Sequence, residues 1–105
     1  MNKIYRTDKD EIIQVIFTFS RGAKSRRNIL KSLIFQPKNC NQIADNLGLD
    51  WWTVQKHLQF LISENIIKSF EFGRRKIYKL TPEGRKVIKI LEANRIISYS
   101  KRGIN

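Results

Sequence analysis

A chain of 105 residues, 41% hydrophobic and 29% charged, has room for one packed domain and not two, and its apolar residues recur too regularly for a disordered chain. Twenty-one Lys and Arg against nine Asp and Glu leave a formal net charge of +12, which asks for an anionic partner: nucleic acid first, an acidic membrane surface second. Cys40 is the sole cysteine, so no intrachain disulfide forms, the opening residues are polar, and no apolar stretch approaches the about 20 residues that span a bilayer; a cytoplasmic, nucleoid-associated protein with no membrane partner is expected.

Asp8-Lys9-Asp10-Glu11 sets negative charge where a helix would start, and Ile12, Ile16 and Phe19 then recur at i, i+4, i+7. Ile13, Val15 and Phe17 widen that stripe, so a helix over 8–20 needs more than one surface to bury against. Arg21-Gly22 breaks it, and a second helix is predicted from Ala23 to Phe35, with Ile29, Leu30, Leu33 and Ile34 inward and Pro37 as the stop. Asn39 can cap a short helix over Cys40–Leu47, closed by Gly48, and Asp50 can cap the next, Trp51–Glu64, whose inward residues are Val54, Leu58 and Leu61. Two strands, Ile66–Phe72 and Arg75–Leu80, flank a Gly73-Arg74 turn, with Phe70 and Phe72 on one face of the first and Tyr78 and Leu80 on one face of the second. Thr81-Pro82 opens a last helix over 82–97 carrying Val87, Ile88, Ile90 and Leu91. The order predicts a mainly α fold with a small β-hairpin: a winged helix-turn-helix core over 23–80, with extra helices before it (8–20) and after it (82–97).

From Ile43 to Gly84 the chain resembles archaeal winged-helix regulators of the ArsR/MarR-like group. The residues that carry the likeness are Ile43-Ala44-Asp45-Asn46-Leu47-Gly48-Leu49-Asp50, Thr53-Val54-Gln55-Lys56-His57-Leu58, Leu61, Asn65-Ile66-Ile67, Gly73-Arg74-Arg75, Tyr78-Lys79-Leu80-Thr81 and Glu83-Gly84. It is their order and spacing, not any one piece, that is specific. The resemblance implies operator binding as a homodimer, commonly to repress transcription. Many ArsR-type members sense metals through paired thiols or His/carboxylate clusters. This chain departs there: Cys40 and His57 lie seventeen positions apart on different predicted helices, so no metal or other cofactor is expected.

The candidate partner is double-stranded DNA, read in the major groove by helix 51–64 and touched at the backbone or minor groove by the wing 66–80. The face of helix 51–64 opposite its core stripe shows Trp52, Lys56 and Gln59, flanked by Thr53 and Gln55. Gln55 and Gln59 suit adenine edges or phosphates, Lys56 a phosphate or guanine, and Thr53 a phosphate or a thymine methyl. Trp51 is expected to point into the domain, and Trp52 either to pack on sugar and thymine methyls or to fold across the preceding turn. Arg74, Arg75 and Lys76 at the wing tip suit phosphates or a narrow minor groove, and Arg26 and Arg27 can approach the DNA backbone. His57 reads as structural or as a phosphate donor, Phe60 as a ring covered by the wing, and Cys40 as a buried cap-region residue. Ile12, Ile13, Ile16 and Phe17, with Val87 and Leu91, are the candidate dimerisation residues.

No catalytic constellation appears: Asp8, Asp10 and Glu11 form the one close acidic cluster and are explained as helix-start charge. No RNA-binding motif or stacking sheet is legible. The alternatives to a sequence-specific regulator are a chromatin-like coat that binds any DNA and a winged-helix adaptor that binds proteins.

Overall fold

Asparagine, aspartate and threonine side chains cap the starts of three of this chain's helices. A computed structural model describes residues 11 and 13–98. The first regular element is a π-helix, Val15–Phe19, closed by the Ser20 N–H on the Val15 carbonyl. It is followed by α1 (Ala23–Ser32), β1 (Lys38–Asn39), α2 (Cys40–Leu47), α3 (Trp51–Ser63), β2 (Ile67–Phe72), β3 (Arg75–Leu80) and α4 (Pro82–Ala93). The result is mostly helical with a three-stranded antiparallel sheet of order β1-β3-β2, a winged helix-turn-helix.

The predicted caps are present. Asn39 and Gln42 form a reciprocal capping box, each side-chain oxygen accepting the other's backbone N–H at 2.8 Å. Asp50 accepts from the Thr53 N–H at 2.8 Å, and Gly48 ends α2 in the left-handed region at φ 68°. Thr81 does more than cap α4: its buried hydroxyl accepts from the Gly84 N–H at 2.9 Å and donates toward the Asn65 and Ile66 carbonyls at 2.7 and 3.0 Å. That stitches the start of α4 to the entry of β2. Gly84 lies against the same segment so closely that a Cβ there would run into the Ile66 carbonyl oxygen.

Three boundaries differ from expectation. α1 stops at Ser32, short of Phe35, because the Ser32 hydroxyl bonds back to the Ile29 carbonyl and Lys38 Nζ takes the Ser32 carbonyl, both at 2.7 Å. α4 stops at Ala93, short of Ile97: Arg95 turns left-handed at φ 62°, and the Ile96 N–H closes on the Leu91 carbonyl at 2.8 Å. That turn brings Ile97 back into the core. The two-residue strand β1 was not legible at all; it pairs Lys38 with Tyr78 and Asn39 with Ile77.

One core gathers Phe17, Ile29, Leu30, Leu33, Ile43, Val54, Leu58, Leu61, Ile67, Tyr78 and Leu91, with Ile13, Ile16, Val87 and Ile97 around them. The inward stripe of the first helical segment is Ile13, Ile16 and Phe17, whereas Phe19, expected inside, is 74% exposed. Ile12 lies outside the described residues.

Candidate nucleic-acid interface

With Val54, Leu58 and Leu61 fully buried, α3 must turn its other side outward, and Trp52, Lys56 and Gln59 are exposed there with Thr53 half-buried beside them. Trp52 is 69% exposed and meets the Trp51 ring edge-on, centroids 4.9 Å apart. Trp51 is itself exposed, contrary to expectation. The Asp50 carboxyl at the head of α3 is held below its ordinary pKa by its hydrogen bonds to Thr53, with a smaller contribution from the Lys56 charge.

Gln55 departs from the outward face. It is half-buried and turned toward the sheet, its Nε2 3.5 Å from the Tyr78 hydroxyl and its Oε1 buried without a partner. It lines a crevice of about 640 Å³ between α3, the start of α2 and the wing, together with Asn41, Asp45, Trp51, Arg74 and Lys76. Asn41, Asp45 and Tyr78 were missed by sequence reasoning, because only the pairing of β1 with β3 brings the head of α2 beside the wing.

The register Ser69↔Tyr78, Phe70↔Ile77, Glu71↔Lys76, Phe72↔Arg75 divides the wing cations between faces. Lys76 shares the inner face with Tyr78 and Leu80, Arg75 lies on the outer face, and Arg74 sits in the turn beside Gly73 (φ 65°). All three are exposed, and Glu71 stands opposite Lys76 across the strand pair.

Arg26 and Arg27 are placed differently from expectation. Arg26 Nη1 donates to the Ile16 carbonyl at 2.9 Å and the Ser20 hydroxyl at 2.8 Å, and its guanidinium lies 4.6 Å from the centre of the Phe60 ring. Arg27 Nη1 donates to the Phe17 carbonyl at 2.7 Å. Both answer carbonyls at the end of the π-helix, so one Nη of each is engaged within the chain. Arg26 lies over the half-buried Phe60 ring. His57 is half-buried against Gly22, where a Cβ would come within 2.9 Å of its ring. Burial first, then the positive charges of Arg26 and Lys56, lower its pKa below the usual imidazole value. Cys40 is buried, as expected, its Sγ 3.8 Å from the Trp51 carbonyl, and burial raises its pKa.

The residues expected to join two subunits are interior. Ile13, Ile16, Phe17, Val87 and Leu91 pack inside the chain's own core, and turning any of them toward a partner would forfeit about 1.5–3 kcal/mol of burial. The apolar residues that this segment does expose are Val15 and Phe19. Among the described residues no cluster of three His, Cys, Asp or Glu could hold a metal ion, and no helix is long and apolar enough to cross a membrane.

A three-stranded sheet, a helix-turn-helix and a basic hairpin in this order define a DNA-binding fold, and residues 6–98 match the winged helix-turn-helix family, to which the chain belongs. No curated protein matches it in sequence. Among solved structures it is similar to TubR from Bacillus thuringiensis serovar israelensis, seen bound to 24 bp of tubC, at 22% identity over 86% of this chain and 98% of that one, TM-score 0.70. It is also similar to HlyU from Vibrio cholerae, at 18% identity over 92% and 100% of the two chains, TM-score 0.66. A third likeness is to the homodimeric winged helix-turn-helix DNA-binding domain Mb0332 of Mycobacterium bovis, described as a possible ArsR-family regulator, at 22% identity over 90% and 91%, TM-score 0.62. At these identities the likenesses establish the winged-helix fold alone.

Proposed function

We propose that this protein is a sequence-specific, double-stranded-DNA-binding transcriptional regulator, a homodimeric repressor and not an enzyme. The observation that carries the reading is the exposed Trp52–Lys56–Gln59 face of α3 standing beside an exposed Arg74–Arg75–Lys76 wing. A helix of this kind enters a major groove, and a cationic hairpin beside it reaches the flanking backbone or minor groove. Gln55 lines the crevice between the two, and its Nε2 amide, 3.5 Å from the Tyr78 hydroxyl, is the group that would donate to a phosphate there. TubR on its 24 bp DNA and the homodimeric Mb0332 domain support the partner and the assembly. In a two-fold dimer the α3 helices would lie about 34–36 Å apart, one turn of B-DNA. Occupancy of a promoter by such a dimer excludes polymerase, which is repression without any effector.

The test is a salt titration of binding to two labelled duplexes: the gene's own upstream region and a scrambled version of equal composition. Tight binding of the upstream duplex alone, weakened about 5- to 150-fold by Lys56→Ala, is expected, since a base contact is worth about 1–3 kcal/mol. Arg74→Ala should weaken both duplexes alike and reduce the salt slope by about one. Equal binding of both duplexes at all salts would identify a DNA-coating protein, and no binding at low salt an adaptor.

A further inference from the structure

We infer that the outer face of the wing is a platform for an unpaired DNA strand, distinct from the α3 face that meets the duplex. Along β2, Phe70 and Phe72 point to the same side and are 40% and 69% exposed. Ile77 stands opposite Phe70, Arg75 opposite Phe72, and Lys79 opposite Lys68. Every charged residue on this face of β2 and β3 is therefore a cation, and Glu71 lies on the other face with Lys76. Two bare phenyl rings ringed by Lys and Arg have no role in the helix-turn-helix core, and exposed aromatics of this size ask for a cover.

The chemistry of the cover follows from spacing and from what lies beside it. Alternate strand residues stand about 7 Å apart, twice the about 3.4 Å step of stacked bases in a duplex. Each ring can take its own base, and the two bases are drawn apart from each other, which a paired double helix does not allow. Next to Phe72 and Ile77 a cleft of about 680 Å³ opens toward Gln36, Pro37, Asn39 and Gln42. The capping box occupies the side-chain oxygens of Asn39 and Gln42, which leaves their NH₂ groups as donors for a base edge. Amide donors, flat aromatic faces and phosphate-seeking cations together favour a nucleotide strand over an acidic peptide. DNA is favoured over RNA by continuity: Arg74 and Arg75 line both this cleft and the crevice at α3, so a strand lying here runs on from the duplex held by α3. To that extent the inference rests on the duplex reading above.

The experiment measures fluorescence anisotropy of the full chain with a labelled oligothymidylate of about twelve nucleotides and, separately, with the upstream duplex. Wild type, Phe70→Ala/Phe72→Ala, Phe72→Trp and Lys56→Ala are compared at one salt concentration. Both phenylalanines are exposed, so the double variant should keep the wild-type thermal melt. The expected result is a loss of tenfold or more, on the order of stacking measured by alanine substitution, for oligothymidylate in the double variant, with duplex affinity unchanged. Phe72→Trp should bind the oligonucleotide at least as well as wild type, and Lys56→Ala should weaken only the duplex. Wild type that binds oligothymidylate through these rings but ignores duplex would support the platform and overturn the duplex reading. Equal oligothymidylate binding by wild type and the double variant would overturn the platform. So would parallel losses on single strand and duplex, tighter binding of oligouridylate, or displacement of the strand by an acidic aromatic peptide.

Discussion

His57 packs on a residue far from it in sequence. It sits on α3 between Lys56 and Leu58, one residue from the exposed Trp52–Lys56–Gln59 stripe, yet its ring packs on Gly22 at the end of the preceding segment. Burial and the charges of Arg26 and Lys56 depress its pKa in the folded chain below the 6.5 of an exposed imidazole. The unfolded chain therefore binds the proton more readily, and stability rises with pH through this range. The contribution of the neutral ring is complete above about pH 6.5 and is lost as pH falls through the lower, folded value. Urea unfolding of wild type and His57→Gln between about pH 5 and 7.5 should show a decline toward acid in wild type that is shallower in the variant. Parallel curves would mean that the ring is solvated. Arg26, at the head of a helix, is likewise engaged by distant groups, the Ile16 carbonyl and the ring of Phe60.

At the scale of elements, the junction of β2 with α4 is the point where local signals and packing meet. Thr81-Pro82 announces the start of α4 in sequence, but only the fold shows that the Thr81 hydroxyl also reaches Asn65 and Ile66, and that Gly84 lies against the Ile66 carbonyl. Gly84→Ala, which ordinarily strengthens a helix, should here cost about 1–3 kcal/mol, because the added methyl must displace backbone. A fall in thermal midpoint of about 4–8 °C per kcal/mol is expected, and an unchanged or higher midpoint would mean that α4 slides freely on β2. The capped helices α2 and α3 and the hairpin were legible because their signals are local: Asn39, Gly48, Asp50 and Gly73 act within four residues. The ends of α1 and α4 were not. One is set by Lys38 reaching back to the Ser32 carbonyl, and the other by a left-handed arginine where glycine is the usual signal.

For the molecule as a whole, the first segment decides whether the proposed dimer exists. Its Ile13, Ile16 and Phe17 are consumed by the protomer's core, and Val15 and Phe19 remain outside, four residues apart on one side of the helix. A two-fold contact through this segment runs through those two side chains. Phe19→Glu should convert a dimer into a folded monomer in sedimentation at micromolar concentration and weaken operator binding with it, since one half-site then binds alone. A variant that still sediments as a dimer would move the interface to another face.

The sequence by itself determined the class of this protein. Helix periodicity, four caps, two turn glycines and a cationic hairpin are local or compositional features, and they specify a winged helix-turn-helix with a basic reading face. What the tertiary structure alone decided is which side chains remain free to meet a partner. Arg26 and Arg27 were claimed by carbonyls ten residues back, Gln55 by a tyrosine on the sheet, and the apolar first segment by the core, while Trp51, Phe70 and Phe72 were left uncovered. Whether a polar group is spent or a ring is buried depends on contacts between residues distant in the chain, and no periodicity or spacing along the sequence carries that information.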